Sequence, residues 1–215
     1  MVCKELLRNS RSNAEVDFDR FANLQMDGRR LISGWFDRAW RMRDCERDDC
    51  FEAFIFAWFA VNSWASCVTG EDQERAYLDA LTLDTSLSER FEQLMFDTNS
   101  RLAIHAKAFS QFWPIFKVQD IRQKGLGIWQ TGEREEIIRR YMDGGVRKFA
   151  PKCWQRHRDT DERVPVDWPH TLAALYQVRC NLFHGEKAAH SEMDQRIVAS
   201  AFKVLVHFFR EATYL

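Results

Sequence analysis

The chain has 215 residues, of which 46% are hydrophobic and 29% charged, with a formal net charge of -1. That balance excludes a disordered tail, and the lack of a global basic excess leaves any nucleic-acid binding to local charge. Nine Gly and four Pro are too few for the many turns of an all-β fold, while 17 Phe and 8 Trp bring large apolar area to a core or an interface.

The first dozen residues are polar and aperiodic, and residues 1–16 read as a flexible N-terminus ahead of a single domain over 17–215. From Asp17 to Met42, Phe18, Phe21, Leu24, Leu31, Trp35, Phe36 and Trp40 recur at intervals that give one apolar stripe. Cys45 to Val68 is apolar nearly all round and predicts a central second helix, closed by Gly70 at its C-terminus. Its apolar stretch from Phe54 to Val68 is broken by Asn62, Ser63 and Ser66 and is short of the ~20 residues of a bilayer span, so a buried core helix is expected and no membrane. Glu71 to Asp84 is acidic and fits a short helix.

Ser86-Leu87-Ser88-Glu89 fits a capping box, with a helix following through Phe91, Leu94, Met95, Leu102, Ile104 and Phe109 until Pro114 ends or kinks it. Gly125 and Gly127 mark a loop, and Glu133 to Tyr141 predicts another short helix ending near Gly144-Gly145. Phe149 to Val166 looks irregular and basic. Asp167-Trp168-Pro169 then opens a helix that runs to about Phe183, with Gly185 placed to terminate it. Ser191 begins an imperfect capping box before a last helix carrying Ile197, Val198, Phe202, Leu205, Val206 and Phe209. The fold expected is an all-α helical bundle with an irregular basic segment before the penultimate helix.

Six cysteines occur, none in a C-x-x-C pair. With Lys4, Glu5 and Arg8 interrupting any signal peptide, they read as reduced thiols of a cytoplasmic protein. Cys153 and His157 share a C-x3-H spacing that Cys180 and His184 repeat. A zinc site needs four ligands, and two such pairs make one only if the fold unites them, so no metal is expected. No phosphate-binding glycine loop and no nucleophile elbow is present, which removes support for nucleotide-dependent and acyl-transfer enzymes and calls for no cofactor.

Chemistry concentrates in Arg179-Cys180-Asn181-Leu182-Phe183-His184. Arg is a fixed cation whose fork suits phosphate, His titrates near neutral pH, and Asn both donates and accepts. Arg179 and His184 lie five residues apart, about 140° around an ideal helix, so a cleft between helices or subunits is needed to unite them. The C-terminal end of the helix favours imidazolium, which leaves Arg179 as the phosphate anchor and His184 as the proton-transfer group.

This stretch resembles the R-x4-6-H motif of the HEPN superfamily, in the Asn after Arg, the C-terminal placement and the terminal helix that follows. Phe54 to Asn62 is similar to the aromatic-rich helix of HEPN-type bundles, and the resemblance covers most of the chain from Phe18 onward. It implies a metal-independent endoribonuclease in which two protomers build one composite site. Arg179 would stabilise the developing phosphorane charge, His184 would move a proton, and Asn181 would orient the phosphate or the His. Products would carry 2′,3′-cyclic phosphate and 5′-OH ends, and such families serve as toxins and antiviral defence effectors, with an antitoxin or defence complex as partner. HEPN toxins paired with a nucleotidyltransferase often carry Tyr two residues after the motif His. Glu186 stands there instead, as a support for His184 or a solvated charge.

Asn62, polar within an apolar helix, either bonds across the core or holds Arg179 or His184. The basic segment supplies Arg139, Arg140, Arg147, Lys148, Lys152, Arg156 and Arg158, interleaved with Tyr141, Phe149 and Trp154. This mix suits phosphate contact and base stacking on RNA, or a solvated loop over buried aromatics. Two other functions stay open: a non-catalytic helical interaction module, in which Arg179 and His184 are structural, and a small-molecule-binding bundle with a closed aromatic pocket beside Arg179.

Overall fold

A computed structural model describes residues 15–46, 49–128, 132–160, 162–183 and 192–215. Within them the chain is an all-α bundle with one two-stranded sheet. The stripe of residues 17–42 forms two helices, α1 (Asp19–Ala22) and α2 (Met26–Arg41), because Gln25 is extended at ψ 145°. Leu24, in the break, folds back onto Gly28, where an added Cβ would come within 3.0 Å of its Cδ2. Residues 1–14 lie outside the described part, but Val16 packs on the core and the Asp17 N–H donates to the Val68 carbonyl.

Helix α3 (Cys50–Thr69) is the central helix, packed by α2, by the last helix and by α4 (Glu74–Leu83). It is long and apolar enough to span a bilayer by length and composition, yet eleven of its residues are buried against neighbouring helices. Gly70 caps it at φ 69°, as the left-handed conformation at a helix end requires.

One continuous helix expected from Ser86 to Phe109 is instead α5 (Thr85–Phe96) and α6 (Leu102–Ser110). The cap is Asp84, whose Oδ1 accepts from the Leu87 N–H at 2.7 Å, so the box expected at Ser86 sits inside the first turn. The break has a local cause. Asp97 Oδ1 accepts from the Asn99 N–H, and Ser100 Oγ accepts from the Leu102 N–H, so side chains take the backbone bonds a continuous helix would use.

Beyond α6 the chain builds a smaller lobe of β1 (Ile115–Phe116), α7 (Val118–Gln123), α8 (Arg134–Asp143), β2 (Phe149–Ala150) and α9 (Trp154–Asp159). The strands pair antiparallel, Ile115 with Ala150 and Phe116 with Phe149. Phe116, Ile121, Ile137, Ile138, Tyr141, Met142, Val146 and Phe149 form its own apolar cluster. The buried Asp120 carboxylate accepts from the Arg147 and Lys148 N–H groups at 3.0 and 3.1 Å, which pins the turn before β2. Thus the segment read as irregular contains a strand and a helix.

Helix α10 (Trp168–Phe183) starts where expected, with Asp167 Oδ1 accepting from the His170 N–H at 3.0 Å. Helix α11 (Glu192–Glu211) carries twelve buried residues and packs on α3, α6, α10, α2 and α5. Its aromatics close the core: Phe209 meets Trp64 edge-on at 5.1 Å, and Phe208 meets Trp168 at 4.6 Å. The expected Gly185 stop and Ser191 cap fall outside the described residues.

Candidate functional site

Arg179 leaves α10 in the last full turn before Phe183. Its Nη2 lies 2.8 Å from Glu74 Oε1 on α4, and its guanidinium sits 4.8 Å from the centre of the Phe183 ring. The side chain is 21% exposed, and its Nε is buried with no hydrogen-bond partner among the described residues. The guanidinium thus lies among Glu74 and the rings of Tyr176 and Phe183, 5.9 and 4.8 Å from their centres. His184 and Glu186 themselves lie outside the described residues.

A polar cluster surrounds this cation. The Tyr176 hydroxyl donates to Glu74 Oε2 at 3.4 Å, and the Tyr77 hydroxyl donates to Asn62 Oδ1. Burial, then the Glu74 charge, pushes the Tyr77 hydroxyl well above its ordinary range. Burial and the adjacent Cys180 do the same for Tyr176. Both phenols thus stay protonated at neutral pH and serve as donors, not as bases. Asn62 sits half-buried beside this cluster and holds the Tyr77 hydroxyl. Glu74 and Tyr77 were not singled out in the sequence. No spacing links α4 to α10, so only packing reveals them.

Asn181 points the other way. It is 1% exposed, its Nδ2 donates to the Phe116 carbonyl at 2.8 Å, and its Oδ1 accepts from the Val118 N–H at 3.3 Å and from Gln177 Nε2 at 3.0 Å. The amide is a brace between α10 and the small lobe, with all its bonds made inside the protein.

Arg139, Arg140, Arg147, Lys148, Lys152, Arg156 and Arg158 are all exposed on that lobe. Several are locally held. Arg140 pairs with Glu136, Arg147 Nη1 donates to the Met142 and Val146 carbonyls, and Arg158 lies 5.6 Å from the centre of the Trp154 ring. Beside Arg158 opens a cavity of about 700 Å³ lined by Lys107, Trp113, Trp154, His157 and Arg163, among others, whereas Arg179 does not line it. Trp113 Nε1 is buried there without a hydrogen-bond partner among the described residues. Lys107 and Arg163 extend the basic surface beyond the run legible in the sequence, because α6 and the segment before α10 meet only in the fold.

Of the two C-x3-H pairs, the one with His184 lies partly outside the described residues. Cys153 is buried, His157 Nδ1 lies 3.5 Å from Glu162, and no group of three or more His, Cys, Asp or Glu among the described residues could hold a metal ion. No protein-family model, curated protein or solved structure matches the chain.

Proposed function

We propose that the chain is a metal-independent endoribonuclease of HEPN type, working as a homodimer and serving as a toxin or an antiviral defence effector. The observation that carries the reading is Arg179 itself, a half-buried fork on α10 that meets one carboxylate and stands five residues before His184 in the sequence. Phosphate would bind at the Arg179 fork, displacing the Glu74 carboxylate, and His184 would take the proton of the RNA 2′-OH or give one to the leaving 5′ oxygen. Attack by the 2′ oxygen on phosphorus, with departure of the 5′ oxygen, yields a 2′,3′-cyclic phosphate and a 5′-OH end. Asn181 acts in this reading as a positioning residue that sets the angle of α10, not as a group on the phosphate. Phe59 and Phe183, 39% and 41% exposed and 6.0 Å apart, offer an apolar edge beside Arg179 for a second protomer. The basic lobe and its Trp113–Trp154 cavity would hold flanking RNA by phosphate contact and stacking.

A second reading, a non-catalytic helical interaction module, is favoured by one observation: Arg179 is already ion-paired with Glu74. Cleavage of labelled total RNA and tRNA by the wild type, by Arg179→Ala and by His184→Ala, in EDTA, separates the two. The ribonuclease reading expects cleavage with cyclic phosphate ends by the wild type only, with all three proteins equally folded by circular dichroism. Cleavage that requires a metal, or that persists in both variants, refutes it.

A further inference from the structure

The turn between α2 and α3 brings two thiols together that the sequence leaves five residues apart. Cys45 Sγ and Cys50 Sγ lie 2.6 Å apart, and Cys50 Sγ also approaches the Cys45 carbonyl at 3.4 Å. A bond between them needs an approach to about 2.05 Å, a shift of well under an ångström. The two sulfurs have opposite surroundings. Cys50 is fully buried in the first turn of α3, whereas Cys45 is partly exposed and lines a cavity of about 710 Å³ together with Lys203, Arg196 and Phe112.

We propose that Cys45 and Cys50 form an oxidant-reactive dithiol, in which Cys45 attacks hydroperoxide entering from the cavity and Cys50 resolves the product into a disulfide. This inference is independent of the ribonuclease reading. In the first step the Cys45 thiolate attacks one peroxide oxygen and the O–O bond breaks. With one proton taken up, this leaves a Cys45 sulfenic acid and one water. In the second step the Cys50 sulfur attacks the Cys45 sulfur, the S–O bond breaks, and the Cys50 proton leaves with the hydroxide as a second water. Two thiols have then lost two electrons to one peroxide. The order follows from the surroundings. The contact with the Cys50 sulfur holds the Cys45 thiol below its ordinary range against the effect of burial, with Lys203 adding to the shift. The same contact and burial push Cys50 far up. Cys67, by contrast, is raised by burial. Cys45, lowered and open to the cavity, should therefore react before Cys67.

The test is hydrogen peroxide titration of the reduced, full-length protein, followed by alkylation and peptide mass mapping. The expected result is a cross-linked Cys45–Cys50 peptide lighter by two hydrogens and restored by dithiothreitol, appearing before any change at Cys67 or Cys180. In Cys50→Ser the expected product is a Cys45 sulfenic acid trapped by dimedone. The wild-type map needs no variant to fold. Both thiols still alkylated when Cys67 is already oxidised, or Cys45 joined to any cysteine other than Cys50, would overturn the proposal.

Discussion

Replacing Asn181 by Ala should cost stability out of proportion to the atoms removed. The side chain is 1% exposed and makes three hydrogen bonds, two of them to backbone groups of Phe116 and Val118, which are themselves 6% and 5% exposed. Deleting it strands a buried carbonyl and a buried N–H, each costing about 1–3 kcal/mol if water does not enter. A loss of about 3 kcal/mol is therefore expected, which for a chain of this length lowers Tm by about 6–12 °C. Asn181→Asp is the sharper variant. It keeps the acceptor for the Val118 N–H but removes the donor to Phe116 and sets a carboxylate against that carbonyl, so its cost should be no smaller. Urea unfolding followed by circular dichroism, with the slope compared between variants, measures both. If either variant unfolds within about 0.5 kcal/mol of the wild type, the amide is not the brace described and the reasoning from buried polar pairing fails at this site.

Glu74→Gln removes the carboxylate that holds Arg179. In the ribonuclease reading it should tighten RNA binding by up to about fivefold, the worth of a partly exposed ion pair, as read by fluorescence anisotropy. Lost stability with unchanged RNA binding would favour the interaction module. Phe209→Ala empties a fully buried site between Trp64 and Trp168 and should cost about 3–5 kcal/mol in denaturant unfolding; a cost below about 1 kcal/mol would contradict the packing described. Acid should weaken the fold through His105, which lies against His207 with ring centres 4.6 Å apart. Burial, then His207, Lys203 and Arg101, against the opposing pull of Glu211, lower its pKa from 6.5 to about 4. The unfolded chain then binds more protons between those values, so stability rises with pH across that window and is lost as pH falls through it. His105→Gln should flatten the dependence of Tm on pH there, and an unchanged slope would remove His105 as its cause.

The large helices were legible because their signals are local. The all-round apolar run of α3, the Gly70 stop, the Gly144 end of α8 and the Asp167 cap of α10 each need only neighbours in sequence. The breaks at residues 23–25 and 97–101 were not, because apolar spacing continues across them while Gln25, Asp97 and Ser100 redirect the backbone. The two strands are two residues each, too short to show a period of two, and they form only because residues far apart in sequence meet. Around the candidate site, Arg179 was found from its motif, but Glu74 and Tyr77 come from another helix. Asn181 looked chemical for its place in the motif and is occupied by backbone groups more than sixty residues away.

The dependence of the core on α11 has a consequence for synthesis. A nascent chain that has emerged only through Phe183 already carries the 20-residue apolar α3, but Trp64 and Trp168 have no Phe208 or Phe209 to cover them. Until those residues clear the ribosome, that aromatic surface stays open to chaperones and to other nascent chains. The aromatic core thus closes only when α11 is present, and truncation before Phe208 should yield insoluble protein instead of a smaller stable domain.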